Sequence, residues 1–255
     1  MAEIYNTDRF AELYSAARNA PMGNVGLAAR FLIEIFQRNS IPFAFIGGWA
    51  IHLRGNTRAT EDVDIAVGAD MALLKEILMD EPRVCVPLVH GKTCIQVFIH
   101  TGGAWDPEFP NTNPLAISAD IVINGRKDLS RRASCSLADH ADFKGNLNTP
   151  PDLPNGTEII YPASETTQGP GQVPVIDIFY QVTAKLQAHF GRRSSGSTKD
   201  YIDLVFLVRT YAHQIQAFCQ YLNHDHRIAF VDDVALARPG DAEFISFVKA
   251  AFGIY

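Results

Sequence analysis

The sequence predicts an α+β fold, in which a mixed sheet with flanking helices is followed by an all-helical C-terminal lobe. In the first half of the chain, short apolar runs with strand-like alternation are interspersed with segments of helical periodicity. In the second half, from residue 175 onward, only helical patterns occur. Apolar residues make up 47% of the 255 residues and charged residues 20%, a balance that indicates a folded globular protein rather than a disordered one.

Local patterns predict each element in turn. Helical spacing of apolar residues predicts helices over 7–19, 24–38, 175–190, 198–213, 215–222 and 242–252. Strand-like runs are residues 43–46, 62–67, 83–89, 93–100, 116–124, 133–137 and 158–161. Asp70 has the residue type and position of an N-cap for a helix that ends at Met79.

The composition changes along the chain and predicts its domain organisation. Residues 140–172 are rich in Pro, Gly, Asn and Thr, and stretches of this kind connect domains or carry function. We therefore predict an α/β domain with N-terminal helices over residues 1–140, a connecting region over 141–172 and a helical domain over 173–255.

The segment FIGGWAIHLRGNTRATEDVDIAV, residues 45–67, carries the strongest chemical signal. A strand that ends in Gly47 and Gly48 and is followed by a helix lets the backbone approach a phosphate closely. Asp62 and Asp64 stand two apart on a predicted strand, so their side chains share one face. Two adjacent carboxylates repel each other unless a cation neutralises them, and hard oxygen ligands suit Mg²⁺.

This order of Gly-Gly, spacer and Asp-apolar-Asp-apolar resembles the signature of the nucleotidyltransferase-fold superfamily, the DNA polymerase beta-like group. The variant GGWA…G…R.T.D.D is most similar to its small-molecule branch, which includes aminoglycoside nucleotidyltransferases and nucleotidyltransferase-like toxins of abortive-infection systems. The resemblance implies a nucleotidyltransferase-type mixed sheet and the use of two Mg²⁺ ions with an NTP, ATP being the preferred choice.

The resemblance also assigns further site residues. It implies a third carboxylate on a neighbouring strand, for which Asp120 is the candidate because it is flanked by apolar residues on a predicted strand. Lys185 in Lys-Leu-x-Ala and Lys199 in Lys-Asp-x-x-Asp-Leu match positions at which relatives contact nucleotide phosphate, and Arg58 is a further candidate. The predicted site is thus Asp62, Asp64 and Asp120 as catalytic and metal-binding residues, with Gly47, Gly48, Arg58, Lys185 and Lys199 binding nucleotide in a cleft between the lobes.

The predicted reaction is transfer of NMP from an NTP to a hydroxyl group, with release of pyrophosphate. Two alternatives stay open: the fold reused for another ATP- and metal-linked reaction on a small metabolite, and a catalytically inactive nucleotide-binding module. A net charge of −6 favours a small-molecule acceptor over nucleic acid, without ruling out a protein or RNA acceptor. A predicted loop that contains Trp105, Asp106 and Glu108 suits a cationic or neutral acceptor.

The expected location is the cytoplasm, with no membrane partner. The N-terminal residues MAEIYNTDRF are polar and charged, unlike a signal peptide, and no apolar run approaches the ~20 residues that a membrane-spanning helix needs.

Overall fold

A computed structural model describes residues 1–124, 153, 156–160 and 172–255 of the chain. Its helices are α1 (Thr7–Ala17), α2 (Met22–Arg38), α3 (Gly47–Leu53), α4 (Met71–Met79), α5 (Ile178–Arg192), α6 (Lys199–Phe218), α7 (His224–Ala237) and α8 (Ala242–Ala251). Its strands are β1 (Glu3–Tyr5), β2 (Phe43–Phe45), β3 (Asp62–Val67), β4 (Val84–Pro87), β5 (Cys94–Thr101), β6 (Leu115–Ile123), β7 (Thr157–Ile160) and β8 (Val173–Ile176). The predicted α+β fold, with a mixed sheet, flanking helices and C-terminal helices, is confirmed.

The described strands form one mixed sheet in the order β1-β4-β5-β6-β3-β2-β8-β7. The pairs β1/β4, β3/β6 and β2/β8 are parallel, whereas β2/β3, β4/β5, β5/β6 and β7/β8 are antiparallel. The central strand β3 therefore has the parallel strand β6 on one side and the antiparallel strand β2 on the other. Residues 62–67 of β3 are therefore paired directly with residues 118–123 of β6, although the two segments are far apart in the sequence.

Both faces of the sheet are covered. Alternate residues of β3, β5 and β6 face a large core that includes side chains of α2 and α4, among them Leu32, Phe36 and Leu74. On the opposite face, α1 contributes Leu13 and Ala17 to a smaller cluster with Cys85, Phe98 and Ala116. Phe98 is paired with Ser118, two residues from Asp120, so this smaller cluster shares its face with Asp120.

Capping side chains account for several helix starts. The Asp70 carboxylate accepts a hydrogen bond from the Leu73 N–H, which confirms the predicted N-cap of α4. Asn6 caps α1 and Asp177 caps α5 in the same way. None of the helices that the structure describes combines the length and the apolar character that crossing a bilayer requires.

The chain divides into two units, Met1–Ile176 and Asp177–Tyr255. The predicted domain boundaries at residues 140 and 172 stay predictions. β7 and β8 pair with each other and β8 pairs with β2 at Phe45, so both strands belong to the first unit. β7 nearly coincides with the strand-like run predicted at 158–161. β8 lies where the helix over 175–190 was expected to begin, because four residues are too few for their alternation to identify a strand.

Other differences from the predicted elements have local causes. The three-residue strand β1 is too short to produce an alternating pattern, and α7 was not predicted because its apolar residues are spread around the helix. One helix, α6, replaces the two predicted over 198–213 and 215–222, with a kink at Tyr211. The predicted strand 133–137 lies outside the described residues.

Candidate active site

Three aspartates from two paired strands converge on one face of the sheet. Asp64 of β3 lies directly opposite Asp120 of the parallel strand β6, and Asp62 precedes Asp64 by two residues on the same face. One carboxylate oxygen from each lies within 4.8 Å of the others. These are the three residues of the predicted catalytic set, and the structure brings them together.

The alternating pattern of β3 places Asp62 and Asp64 on the sheet itself, and not in a loop. Val63 and Ile65 alternate with the two aspartates and are completely buried on the opposite face. Asp64 itself is only 9% exposed, whereas Asp62 and Asp120 are half-buried. The Thr60 hydroxyl donates a hydrogen bond of 2.9 Å to Asp62 Oδ1. Strand pairing thus places the three acids on one face, and Thr60 orients Asp62.

The Gly47-Gly48 turn lies directly beside Asp64. Gly47 has a φ of +63°, a conformation that favours glycine, and a Cβ at this position would lie 1.8 Å from Asp64 Oδ2. The Gly48 N–H faces the same oxygen at 3.4 Å. The turn therefore lacks side chains for two separate reasons, its backbone conformation and its close approach to a carboxylate.

Gly48 faces Thr60 and Arg58. A Cβ at Gly48 would lie 2.8 Å from Thr60 Oγ1 and 3.1 Å from the Arg58 guanidinium. We expect Gly48→Val to displace these groups and to weaken nucleotide binding by about tenfold or more, equivalent to about 1.4 kcal/mol. Calorimetric titration with ATP and Mg²⁺, together with the melting temperature, measures the two effects separately.

Gly23→Ala is the matched control, because a Cβ at Gly23 would have no heavy atom within 4 Å. It should retain both the nucleotide affinity and the melting temperature. A folded Gly48→Val variant with wild-type ATP affinity would show that the turn has only a structural role.

The basic residues near the acids differ in their roles. The Arg54 side chain is 1% exposed and binds Glu158 at 2.9 Å and the Ile176 carbonyl at 2.6 Å, so it joins the end of α3 to β7 and β8. Arg58 is partly exposed and donates to the Ala59 carbonyl. Burial lowers the pKa of His52, and the nearby Arg58 charge lowers it further. Arg58 therefore supplies positive charge beside the glycine turn.

A model of the family described as "Nucleotidyl transferase AbiEii toxin, Type IV TA system" matches residues 30–251. The chain belongs to this AbiEii family. It is accordingly a nucleotidyltransferase, and the predicted membership of the nucleotidyltransferase-fold superfamily is confirmed. The matched span includes the glycine turn and all three aspartates.

Solved structures resemble this AbiEii-family chain at low sequence identity. An antigenic nucleotidyltransferase-like protein from Paracoccidioides brasiliensis is 14% identical, with a TM-score of 0.50 over 89% of this chain and 93% of its own. ANT(2")-Ia in complex with adenylyl-2"-tobramycin is 13% identical, with a TM-score of 0.47 over 83% and 98%. A putative nucleotidyltransferase from Thermotoga maritima is 15% identical, with a TM-score of 0.37 over 66% and 88%. No curated protein sequence matches the chain significantly.

In the helical unit of the AbiEii-family chain, Lys185 lies in a buried ionic network. Its ammonium is 3.1 Å from Asp200 Oδ1 and 2.8 Å from Asp203 Oδ2, and Arg192 contacts the second oxygen of Asp200 at 2.8 Å. Lys199, in contrast, is exposed at the start of α6. The predicted contacts of Lys185 and Lys199 with nucleotide phosphate stay predictions, as does the placement of the site between lobes.

Two residues beside the acids were not predicted as site residues. Thr60 stands two positions before Asp62, and its hydroxyl contacts Asp62 Oδ1, so its closeness in the chain was a usable signal. Tyr5 is brought to the site only by the fold. Its hydroxyl donates to the Gln96 carbonyl at 2.7 Å. Burial and the negative charge of Asp120 both raise the pKa of Tyr5.

Of the three loop residues suggested for acceptor binding, Asp106 is buried, whereas Trp105 and Glu108 are exposed. Asp106 is 4% exposed, and both of its carboxylate oxygens accept from Arg83 Nη2, at 2.7 and 2.6 Å. Glu108 is 3.6 Å from Arg30. Trp105 stacks on His100 and is 42% exposed. Asp106 thus stabilises the loop and is not accessible to a cationic acceptor.

Proposed function

We propose that this nucleotidyltransferase uses Mg²⁺ to transfer the NMP moiety of an NTP, with ATP as the first choice, to a hydroxyl group of a small molecule. The observation that carries the proposal is the convergence of Asp62, Asp64 and Asp120 beside the glycine turn. Three carboxylates at this spacing repel one another and a triphosphate alike. Divalent cations at the carboxylates remove both repulsions.

The residues present fit Mg²⁺. The potential ligands are all carboxylate oxygens, which this ion prefers, and no thiol or imidazole belongs to the group that the described residues form here. When bound, Mg²⁺ neutralises phosphate charge and favours the deprotonated form of an acceptor hydroxyl. Asp62, Asp64 and Asp120 are the residues that would hold it.

The residues of the chain then have distinct proposed roles. The acceptor oxygen forms a bond to the α-phosphorus, the bond to the bridging oxygen of the β-phosphate breaks, and pyrophosphate leaves. Asp120, by its resemblance to relatives, takes the hydroxyl proton. Gly47 and Gly48 allow close approach of the phosphates, and Arg58 supplies positive charge next to the turn. The resemblance to relatives assigns further phosphate contacts to Lys185 and Lys199.

Incubation of the full chain with Mg²⁺, labelled NTPs and a metabolite extract tests the proposal. A nucleotidylated small molecule together with pyrophosphate is the expected result. An activated acyl product would show that the fold serves another ATP-linked reaction. Absence of any labelled product, with ATP binding retained, would indicate a nucleotide-binding module, and a labelled protein or RNA would identify a macromolecular acceptor.

Nucleotide binding is expected to depend on divalent metal. Removal of Mg²⁺ with excess chelator should weaken ATP binding by about tenfold or more, because unscreened carboxylates at close range repel the triphosphate. Isothermal titration in Mg²⁺ and in chelator measures the difference. Adenosine, which has no phosphate, serves as the matched ligand, and its binding should be independent of metal. Equal ATP affinity in both buffers would contradict the proposed site.

The description of the family also suggests that the chain acts as a toxin. Because it names a toxin of a type IV toxin–antitoxin system, we propose that transfer by this chain inhibits growth of the cell in which it is produced. The charge of the chain supports a small-molecule acceptor for that transfer.

A further inference from the structure

A second group of metal-ligating side chains lies on strands β1, β4 and β5. Glu3 is the register partner of Cys85, and His100 follows two residues after Phe98, the partner of Cys85 on its other side. All three side chains therefore share one face of the sheet. One ligand atom from each lies within 4.8 Å of the others.

The three ligand atoms surround a common position at which one ion could bind. Cys85 Sγ is 3.3 Å from His100 Nε2 and 3.5 Å from Glu3 Oε2, and Glu3 Oε2 is 3.9 Å from the same His100 Nε2. A proton relay from thiol to imidazole to carboxylate would use both nitrogens of the imidazole ring, one for each partner. Here both partners face one nitrogen, which is the geometry of ligands around an ion.

The separations agree with a tetrahedral zinc site. With Zn–S of about 2.3 Å and Zn–N and Zn–O of about 2.0–2.2 Å, the ligand atoms of a tetrahedron lie about 3.4–3.6 Å apart. The observed separations are 3.3, 3.5 and 3.9 Å, so shifts of up to about half an ångström complete the geometry. Thiolate, imidazole and carboxylate are also the three ligand types that Zn²⁺ uses in proteins.

Neighbouring residues hold the ligands in this orientation. Arg9 binds the other oxygen of Glu3, Oε1, at 2.9 Å and leaves Oε2 directed at Cys85 and His100. The charge of Arg9 is shared with Glu12 at 2.7 Å, which reduces its repulsion of a cation. The Trp105 ring stacks on the His100 ring at an interplanar angle of 10°, with the centroids 5.6 Å apart.

We propose that Glu3, Cys85 and His100 bind one Zn²⁺ ion, which fastens strand β1 to β4 and β5. Coordination forms a Zn–S bond and releases the thiol proton to solvent, with no change of oxidation state. The fourth coordination position belongs to water or to an exogenous ligand, as in sites with three protein ligands. Glu3 and His100 are partly exposed and provide a path for the ion. This metal site is independent of the proposed transfer reaction.

The metal would stabilise the N-terminal segment of the chain. β1 leads directly into α1, whose Leu13 and Ala17 pack on the sheet beside Cys85 and Phe98. Glu3 and α1 both precede the family match, which begins at residue 30. The site thus joins the segment before residue 30 to strands β4 and β5, next to Tyr5 and the face that carries Asp120.

Titration of metal-free full-length protein with Co²⁺ tests the proposal. Cobalt bound by a thiolate gives a sulfur-to-metal charge-transfer absorption that an all-oxygen site cannot give. We expect this absorption to saturate at about one ion per chain. Zn²⁺ should displace Co²⁺ and raise the melting temperature by about 5–10 °C at about 100 times its Kd, reversibly with chelator.

Matched variants locate the ion. Cys85→Ser and His100→Gln should lose the absorption and the Zn²⁺-dependent stabilisation, whereas Cys219→Ser, which removes another free cysteine, should keep both. Asp64→Asn should also keep both, so failure of the proposed active site leaves this test intact. No charge-transfer absorption in the wild type, or absorption that persists in folded Cys85→Ser, would overturn the proposal. If Cys85→Ser does not fold, His100→Gln and Glu3→Gln decide in its place.

Discussion

Asp64→Asn is expected to reduce nucleotidyl transfer by about 10²-fold or more, a loss of about 3 kcal/mol or more of transition-state stabilisation. Asp64 lies at the centre of the carboxylate group, paired in register with Asp120 and next to the glycine turn. The amide has nearly the shape of the carboxylate but lacks its charge. The fold should persist, because an asparagine oxygen can still accept from the Gly48 N–H. Removal of one of three crowded charges also relieves repulsion.

The measurement is the rate of pyrophosphate release, together with the melting temperature. Asp70→Asn is the matched control: it makes the same chemical change at an N-cap that asparagine fills equally well, and it should retain activity and stability. Wild-type turnover in the Asp64→Asn protein would reject the assignment of the acids. The same pair of variants tests the proposed toxicity, since only the wild type and Asp70→Asn should arrest growth when expressed.

Of the variants proposed here, Lys185→Met is expected to lower the free energy of unfolding the most. The variant removes the ammonium that lies between Asp200 and Asp203, whose side chains are 2% and 0% exposed. Removal of one partner from a buried ion pair costs about 3–5 kcal/mol, because the remaining charges stay desolvated. Thermal denaturation followed by circular dichroism should therefore show a melting temperature lower by about 10 °C.

A double variant separates the two possible roles of Lys185. If the network is structural, Lys185→Met with Asp203→Asn should recover part of the lost stability, because one buried charge is removed along with its partner. If Lys185 also contacts phosphate, ATP affinity should stay low in the double variant. Lys199→Met is the matched control for stability, since exposed substitutions change it by about 0.5 kcal/mol or less. An unchanged melting temperature in Lys185→Met would contradict the structural role.

The sequence by itself determined the features that depend on local patterns. The alternation of Asp62, Val63, Asp64 and Ile65 places two acids on one face of a strand with no further information, because the period of a strand is two residues. The cap at Asp70 follows equally directly from its residue type and the helix behind it. The family also follows from one contiguous segment, residues 45–67, since the glycine turn and the two acids are close together in the chain.

The tertiary structure alone decided which separate segments meet. The pairing of Asp120 with Asp64 depends on β6 lying next to β3, and strand order is set by packing of whole elements rather than by the residues of either strand. The same holds for β1 and β8, for the partners of Lys185, and for the approach of Glu3 to Cys85 and His100. Each of these contacts joins residues of separate elements, because burial of the sheet faces selects the strand neighbours and packing of α5 on α6 selects the partners of Lys185.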